Sequence, residues 1–294
     1  MLVRLRLVYL WLLVLSVVMG GGTGLLVGYL QDLPEVKALE HYRPQTISRL
    51  YDKDEQLIAT FYLEKRILVP LGRVPKALIQ ALIATEDARF YDHLGIDPKG
   101  IARALWADIK ARRIVEGGST ITQQLAKVLF LTPERSLRRK IKEAILALQI
   151  ERTYSKDQIL EFYLNQVYMG SGAYGVEAAA RTYFGKSVEA LTLSEAALLA
   201  GLPRAPSRYS PLAHPDASLR RRAHVLARMS KLGYISPEEA DRASREPLRL
   251  DPKVEERRAP YFVEHVRQIV EETQGALALY HGGLHISTTL DLEL

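Results

Sequence analysis

Three acids, three basic side chains and a cluster of hydroxyls and amides are the residues of this sequence whose types and spacing suit chemistry. Glu86-Asp87 ends an apolar run from Ala77 to Ala84, and Phe90, Tyr91, His93 and Gly95 follow closely. A carboxylate at the end of an apolar helix, roofed by aromatics, is well placed to act as a general base. Taken alone, the same residues fit the opening of a solvated loop equally well. A second group starts at Gly117-Gly118 and runs through Ser119, Thr120, Thr122, Gln123 and Gln124 to Lys127. Two glycines leading into a hydroxyl-rich helix start can present backbone N–H groups and side chains to an anion. Lys127 lies one turn beyond the glutamines and reaches the same side. The spacing is not that of a Walker phosphate loop, and a plain loop with an N-cap is the alternative.

The third group is Arg139, Lys140 and Glu143. On a helix over Leu137–Thr153 both cations fall beside the carboxylate. They could take a diphosphate, or they could form a surface ion pair worth about 0.3–0.5 kcal/mol. The last group, Asn165 to Gly185, mixes glycine with tyrosine and phenylalanine. It suits either a sugar-lined cleft or tight helix–loop–helix packing.

The elements that must position these groups are mostly helices. Ile47 to Val69 predicts strands, broken by a turn at Asp52-Lys53-Asp54. From Pro75 the pattern turns helical, with start signals at Asp97-Pro98, Thr132-Pro133 and Ser236-Pro237. Capping boxes are expected at Thr120/Gln123, Ser155/Gln158, Thr192/Glu195 and Ser236/Glu239. Gly201 is expected to close a helix over Leu193–Ala200. Leu284 to Leu290 alternates and is β-branched, so a further strand is expected there. The segment Asp97 to Arg113 places Ile101, Leu105, Trp106 and Ile109 on one stripe, with basic residues in excess. Such a helix suits a membrane surface or packs against a core.

Length and composition set the frame. The 294 residues fit one or two domains, and 48% hydrophobic residues can form a sizeable core. The net charge of +6 suits an anionic surface or substrate and is too mild to argue for nucleic acid. The chain has no cysteine, which excludes disulfides and thiolate metal sites. Leu7 to Leu30 carries no charge and is long enough to cross a bilayer with some tilt. Arg4 and Arg6 precede it while Asp32 and Glu35 follow, which orients the N-terminus to the cytoplasm.

Five segments, in this order, resemble the peptidoglycan glycosyltransferase domain of class A penicillin-binding proteins. They are Glu86-Asp-x-x-Phe-x-x-His-x-Gly95, Gly117-Gly-Ser-Thr-Ile-Thr-Gln-Gln124, Arg139-Lys-x-x-Glu143, Asn165 to Gly185, and Leu193-x-Glu-Ala-Ala-Leu-Leu-Ala-Gly-Leu-Pro203. Val128 stands where that family often has asparagine. The resemblance implies a mainly α, lysozyme-like fold with small β elements near the N-terminal linker and the C-terminus. It implies a cytoplasmic tail (1–6), a transmembrane helix (7–30), a linker with short strands (31–69), the glycosyltransferase domain (70–245) and the start of a linker to a transpeptidase domain (246–294).

The implied reaction polymerises lipid II onto a nascent glycan strand through β-1,4 bonds, with inversion and release of undecaprenyl diphosphate. By resemblance Glu86 is the base, supported by Asp87, Phe90 and His93. Lys127, Arg139 and Lys140 serve the diphosphate, with a divalent cation such as Mg2+ as a further candidate. Glu143 holds the acceptor or that cation. Ser119, Thr120, Gln123, Gln124 and Asn165 contact substrate. The implied location is the bacterial cytoplasmic membrane, single-pass, with the catalytic domain outside and other cell-wall synthesis proteins as partners. Two alternatives use the same residues: a lysozyme-like, glycan-cleaving lytic transglycosylase, which also needs one strong Glu, and a non-catalytic membrane scaffold.

Overall fold

The computed structural model describes residues 48–61, 65–111, 117–132, 134, 136–251 and 259–292, with positions 9, 11, 13, 16, 17, 19, 20, 34 and 36 before them. The expected membrane span 7–30 lies mostly outside these, as do Arg112, Arg113 and Pro133. Among the described residues no helix is long and apolar enough to cross a membrane.

The fold is mainly helical and has two cores. The larger one holds helices α1 (Lys76–Glu86), α3 (Ile121–Phe130), α4 (Leu137–Thr153), α5 (Lys156–Gln166), α6 (Val176–Phe184), α7 (Leu193–Gly201), α8 (Pro215–Lys231) and α9 (Pro237–Arg245), while α2 (Pro98–Ala111) contributes no residue to it. α1 packs between α7 and α8, and α3 packs on α4 and α5. All four expected capping boxes form, at the starts of α3, α5, α7 and α9. Each satisfies backbone N–H groups that a helix end leaves without partners. α2 begins at the expected proline, and Asp97 accepts from the Gly100 N–H at 2.9 Å. The Thr132-Pro133 signal does not start α4; Ser136 does, its hydroxyl accepting from the Arg139 N–H. Gly201 is the last residue of α7 rather than its stop.

The small core joins strands β1 (Ser48–Tyr51) and β2 (Leu57–Phe61) to β6 (His285–Ser287), backed by α10 (Pro260–Gln274) and α11 (Ala276–His281). The sheet order is β2-β1-β6, antiparallel then parallel, with Arg49 opposite His285 and Leu50 opposite Ile286. The two stretches expected as separate linkers therefore build one module. A second sheet, β3 (Lys65–Arg66), β5 (Ala173–Tyr174) and β4 (Tyr168–Gly170), ties residues 65–66 to the loop before α6. The Asn165–Gly185 stretch is packing rather than cleft lining at most positions. Tyr183 is fully buried with its hydroxyl donating to the Met169 carbonyl at 3.0 Å, and Phe184 is also buried. Gly175 sits at φ +82, and a Cβ there would come within 2.9 Å of the Asn165 carbonyl oxygen. That is a close approach only glycine permits.

Candidate active site

The start of α3 draws the acids and cations together. Gln124 Nε2 donates to Glu86 Oε2 at 2.9 Å. The Ile121 N–H donates to Asp87 Oδ2 at 3.0 Å. Ser119, one step before the helix cap, accepts from Lys140 Nζ at 2.7 Å. One short segment thus holds both candidate centres.

Glu86 is the last residue of α1, where the apolar face of the helix gives out. Its carboxylate is half-buried, with Arg221 Nη2 3.9 Å from Oε1. The Gln124 amide facing it is itself oriented: Tyr163, fully buried in α5, donates its hydroxyl to Gln124 Oε1 at 3.2 Å. Burial, with the nearby charges of Glu86 and Asp87, pushes the Tyr163 hydroxyl well above its ordinary pKa. It therefore keeps its proton and remains a donor. The chain Tyr163–Gln124–Glu86 fixes one carboxylate oxygen and leaves the other toward Arg221.

Asp87 faces inward. His93 Nε2 lies 3.0 Å from both of its oxygens. The Gly95 N–H donates to His93 Nδ1 at 3.2 Å, which places the imidazole proton on Nε2, facing Asp87. A carboxylate at the N-terminus of α3 also meets the favourable end of the helix dipole. Phe90 is fully buried, with Lys156 Nζ 4.4 Å from its ring centroid. Asp87, Phe90 and His93 therefore brace the Glu86 loop from below.

Lys140 Nζ lies 2.8 Å from Glu143 Oε2. Arg139 Nε lies 3.2 Å from Glu143 Oε1, in an ion pair rather than an aligned hydrogen bond. The Glu143 side chain is 4% exposed, against 45% for Lys140. The acid is therefore the buried anchor and Lys140 the group presented outward. Lys127 is exposed on the last turn of α3. Among the described residues no three His, Asp or Glu side chains gather at one point. A lone carboxylate already facing two cations does not fit a resident divalent metal.

Other expected substrate contacts are turned inward. Thr120 and Gln123 are buried in their capping box, and the Thr120 hydroxyl donates to the Gly95 carbonyl at 2.6 Å. Thr122 donates to Glu151 at 2.6 Å rather than facing an anion. Asn165 is buried: its Oδ1 accepts from the Val69 N–H, and its Nδ2 donates to the Val69 and Glu161 carbonyls, each at 2.9 Å. It acts as a strand-like splice between the entry segment and α5. Asn165→Ala should accordingly lower unfolding free energy by about 1–3 kcal/mol, because the Val69 backbone loses its partners in the interior. Urea unfolding measures this. A kcat loss without a stability loss would return Asn165 to the substrate.

Tyr163, Arg221 and Arg228 escape the sequence-level assignment. Arg228 Nε donates to the Ala84 carbonyl at 3.2 Å, holding the end of α1 to α8. The available signal was an arginine at position 221 of the buried stripe Ser218, Arg222, Val225 and Met229 of α8, where a charged side chain needs a buried partner.

The transglycosylase family model matches residues 54–230. Penicillin-binding protein 1A of Aquifex aeolicus is 49% identical over 283 residues, covering 95% of this chain and 39% of that protein. Penicillin-binding protein 1A of Escherichia coli is 44% identical, covering 96% and 34%. The chain therefore spans less than half the length of these relatives. The 2.6 Å crystal structure of penicillin-binding protein 1A from Haemophilus influenzae aligns with a TM-score of 0.53 and 32% identity, over 86% of this chain and 28% of that one. The matched region begins in the turn before β2, reaches the last turn of α8 and contains every acid and cation of the site described above, so the chain belongs to the transglycosylase family, as a peptidoglycan glycosyltransferase domain of the class A penicillin-binding protein type.

Proposed function

We propose that the chain polymerises lipid II at this site, with Glu86 as general base. The observation that carries the proposal is the start of α3, which binds Glu86 through Gln124 and Lys140 through Ser119. In the reaction the acceptor's 4-hydroxyl passes its proton to Glu86 while its oxygen attacks the donor's anomeric carbon. The bond from that carbon to the diphosphate breaks, and the configuration inverts. Lys140 and Arg139 meet the charge growing on the leaving diphosphate, so no general acid is required. Lys127 and Glu143 complete the donor side, the latter by holding both cations. A divalent cation here would arrive on phosphate oxygens rather than reside on protein ligands, and no step depends on it. A glycan-cleaving enzyme would also use Glu86, but it gains nothing from two cations held beside the leaving group. Incubating the chain with labelled lipid II and separating the products tests the proposal: long glycan strands support it, and shortening of existing strands refutes it.

The membrane readings belong to the same proposal. α2 buries only Gly100 and Ala104, while Leu105, Trp106 and Ile109 are 57%, 71% and 70% exposed. That supports an interfacial helix over a core-facing one. Tyr9, Trp11, Leu13, Val17 and Met19, all exposed and apolar, suit a lipid-facing anchor. Changing Leu105 and Trp106 together to Ser, in a chain beginning at residue 31, should weaken liposome binding with little change in Tm. A large fall in Tm with unchanged binding would assign α2 to the core.

A further inference from the structure

Glu86 offers two oxygens to an incoming proton, and they are not alike. Oε2 accepts from Gln124 Nε2 at 2.9 Å. Oε1 has Arg221 Nη2 at 3.9 Å, beyond hydrogen-bond reach, so its lone pairs stay open. The side chain is only 11% exposed, so the groups packed around it decide what it can accept. Asp87, next in the chain, is committed to His93 and the Ile121 N–H. α8 brings Arg221 and also Arg228, whose Nε is spent on the Ala84 carbonyl. α3 brings Gln124, and α5 brings Tyr163 behind it. Of these, Gln124 alone hydrogen-bonds the carboxylate.

A primary amide can meet a carboxylate in two orientations. With Nε2 toward Glu86 it donates. Inverted, it sets two acceptors face to face, and the contact forms only when Oε2 already holds a proton. The inverted amide therefore favours a base that is already filled. The Gln124 side chain does not choose between the two, since inversion exchanges groups of nearly equal size. Tyr163 makes the choice. It is fully buried on the inward stripe of α5, beside Ile159 and Leu160. Its hydroxyl donates to Gln124 Oε1 at 3.2 Å, the only acceptor for that proton among the described residues. Inversion would turn Nε2 toward the hydroxyl and leave the phenolic proton in the core without a partner. Burial and the nearby charges of Glu86 and Asp87 keep the hydroxyl protonated, so this donor is permanent.

We infer that Tyr163 is a positioning residue for the reaction, locking Gln124 so that Oε1 of Glu86, and not Oε2, takes the acceptor's proton. The inference rests on the proposed polymerisation and deepens it. As the acceptor oxygen bonds the anomeric carbon, the bond from that carbon to the diphosphate breaks. The O–H electron pair stays on the acceptor oxygen, and the proton ends on an Oε1 lone pair. Oε2 accepts from Gln124 before and after the transfer, because Tyr163 blocks the inversion that would let Oε2 hold the proton. The proton then passes from Oε1 to water, and Glu86 is regenerated with its carboxylate still in place.

Tyr163→Phe removes the hydroxyl and keeps the ring. In the full chain with lipid II, kcat should fall about tenfold, the scale of one net hydrogen bond, with KM within about twofold. An unchanged kcat overturns the inference, whatever happens to Tm. The effect must also run through Gln124. In a Gln124→Leu background, which keeps much of the volume and removes the amide, adding Tyr163→Phe should alter the residual kcat by less than about twofold. An equal loss in both backgrounds overturns the inference. Nuclear magnetic resonance of the full chain, labelled with 15N in its glutamine side chains, gives a readout independent of turnover. In the wild type the Gln124 amide protons should show Overhauser contacts to the Glu86 side chain. Contacts to the Tyr163 ring instead mean an inverted amide and overturn the inference without any variant. In Tyr163→Phe those amide protons should exchange with water at least about tenfold faster, and equal rates overturn it. If the wild type fails to polymerise lipid II, the reaction and the proton's destination fall, while the resonance data still decide the hold of Tyr163 on Gln124.

Discussion

Glu86→Gln is expected to lower lipid II polymerisation by at least about 10²-fold, the lower range for loss of a general base. The change conserves volume at a half-buried helix end, and the amide oxygen of the replacement can still accept from Gln124 Nε2. The brace formed by Asp87, His93 and the Ile121 N–H does not involve the replaced group. Stability and substrate affinity should therefore stay near wild type while kcat collapses. Single-turnover glycan formation, with thermal unfolding as the control, measures both. Near-normal turnover would remove Glu86 from the role and leave the site without a proton acceptor at the end of α1.

Lys140→Ala should cost about 10²–10³-fold in kcat, the usual effect of removing one preorganised group that meets developing charge. Lys140 is held by Ser119 and Glu143 in advance of substrate; in the proposed reaction its interaction would strengthen as the glycosyl bond breaks, so its loss should fall on kcat more than on KM. Lys140→Arg should restore part of the rate, because a point charge matters more here than fork geometry. Glu143→Gln should also impair turnover, since it leaves Arg139 and Lys140 beside an uncharged group and removes their buried anchor. Steady-state kinetics on lipid II separate these effects. Normal polymerisation by Lys140→Ala would mean that the diphosphate leaves elsewhere, and a glycan-cleaving role for Glu86 would then fit better.

The elements were legible where the local code is strong. Each capping box needs only two residues three apart, and all four formed. The position of Glu86 at the end of α1 was legible because an apolar run stops there. The site's fine structure was less so, for two physical reasons. A capping box and an anion cradle use the same residue types, and Thr120 and Gln123 spend their side chains on the former. Long-range partners leave no local trace. Tyr163 is one apolar-stripe residue among several until Gln124 is placed beside it 39 positions away. Gly201 looked like a helix stop because its reason, Arg221, lies 20 residues on.

The parallel pairing of β1 with β6 bears on the order of synthesis. The Leu284 N–H and Ser48 Oγ that meet at this seam are 236 residues apart. The β1–β2 hairpin can form as soon as it is made, but two strands alone are marginal in water. At roughly 5–20 residues per second the third strand follows about 10–50 s later. Throughout that interval β1 presents an open edge, a template for wrong pairing. The helical body, whose contacts are more local, can close first. The small module is thus a late clasp, completed only once the whole catalytic region has been translated.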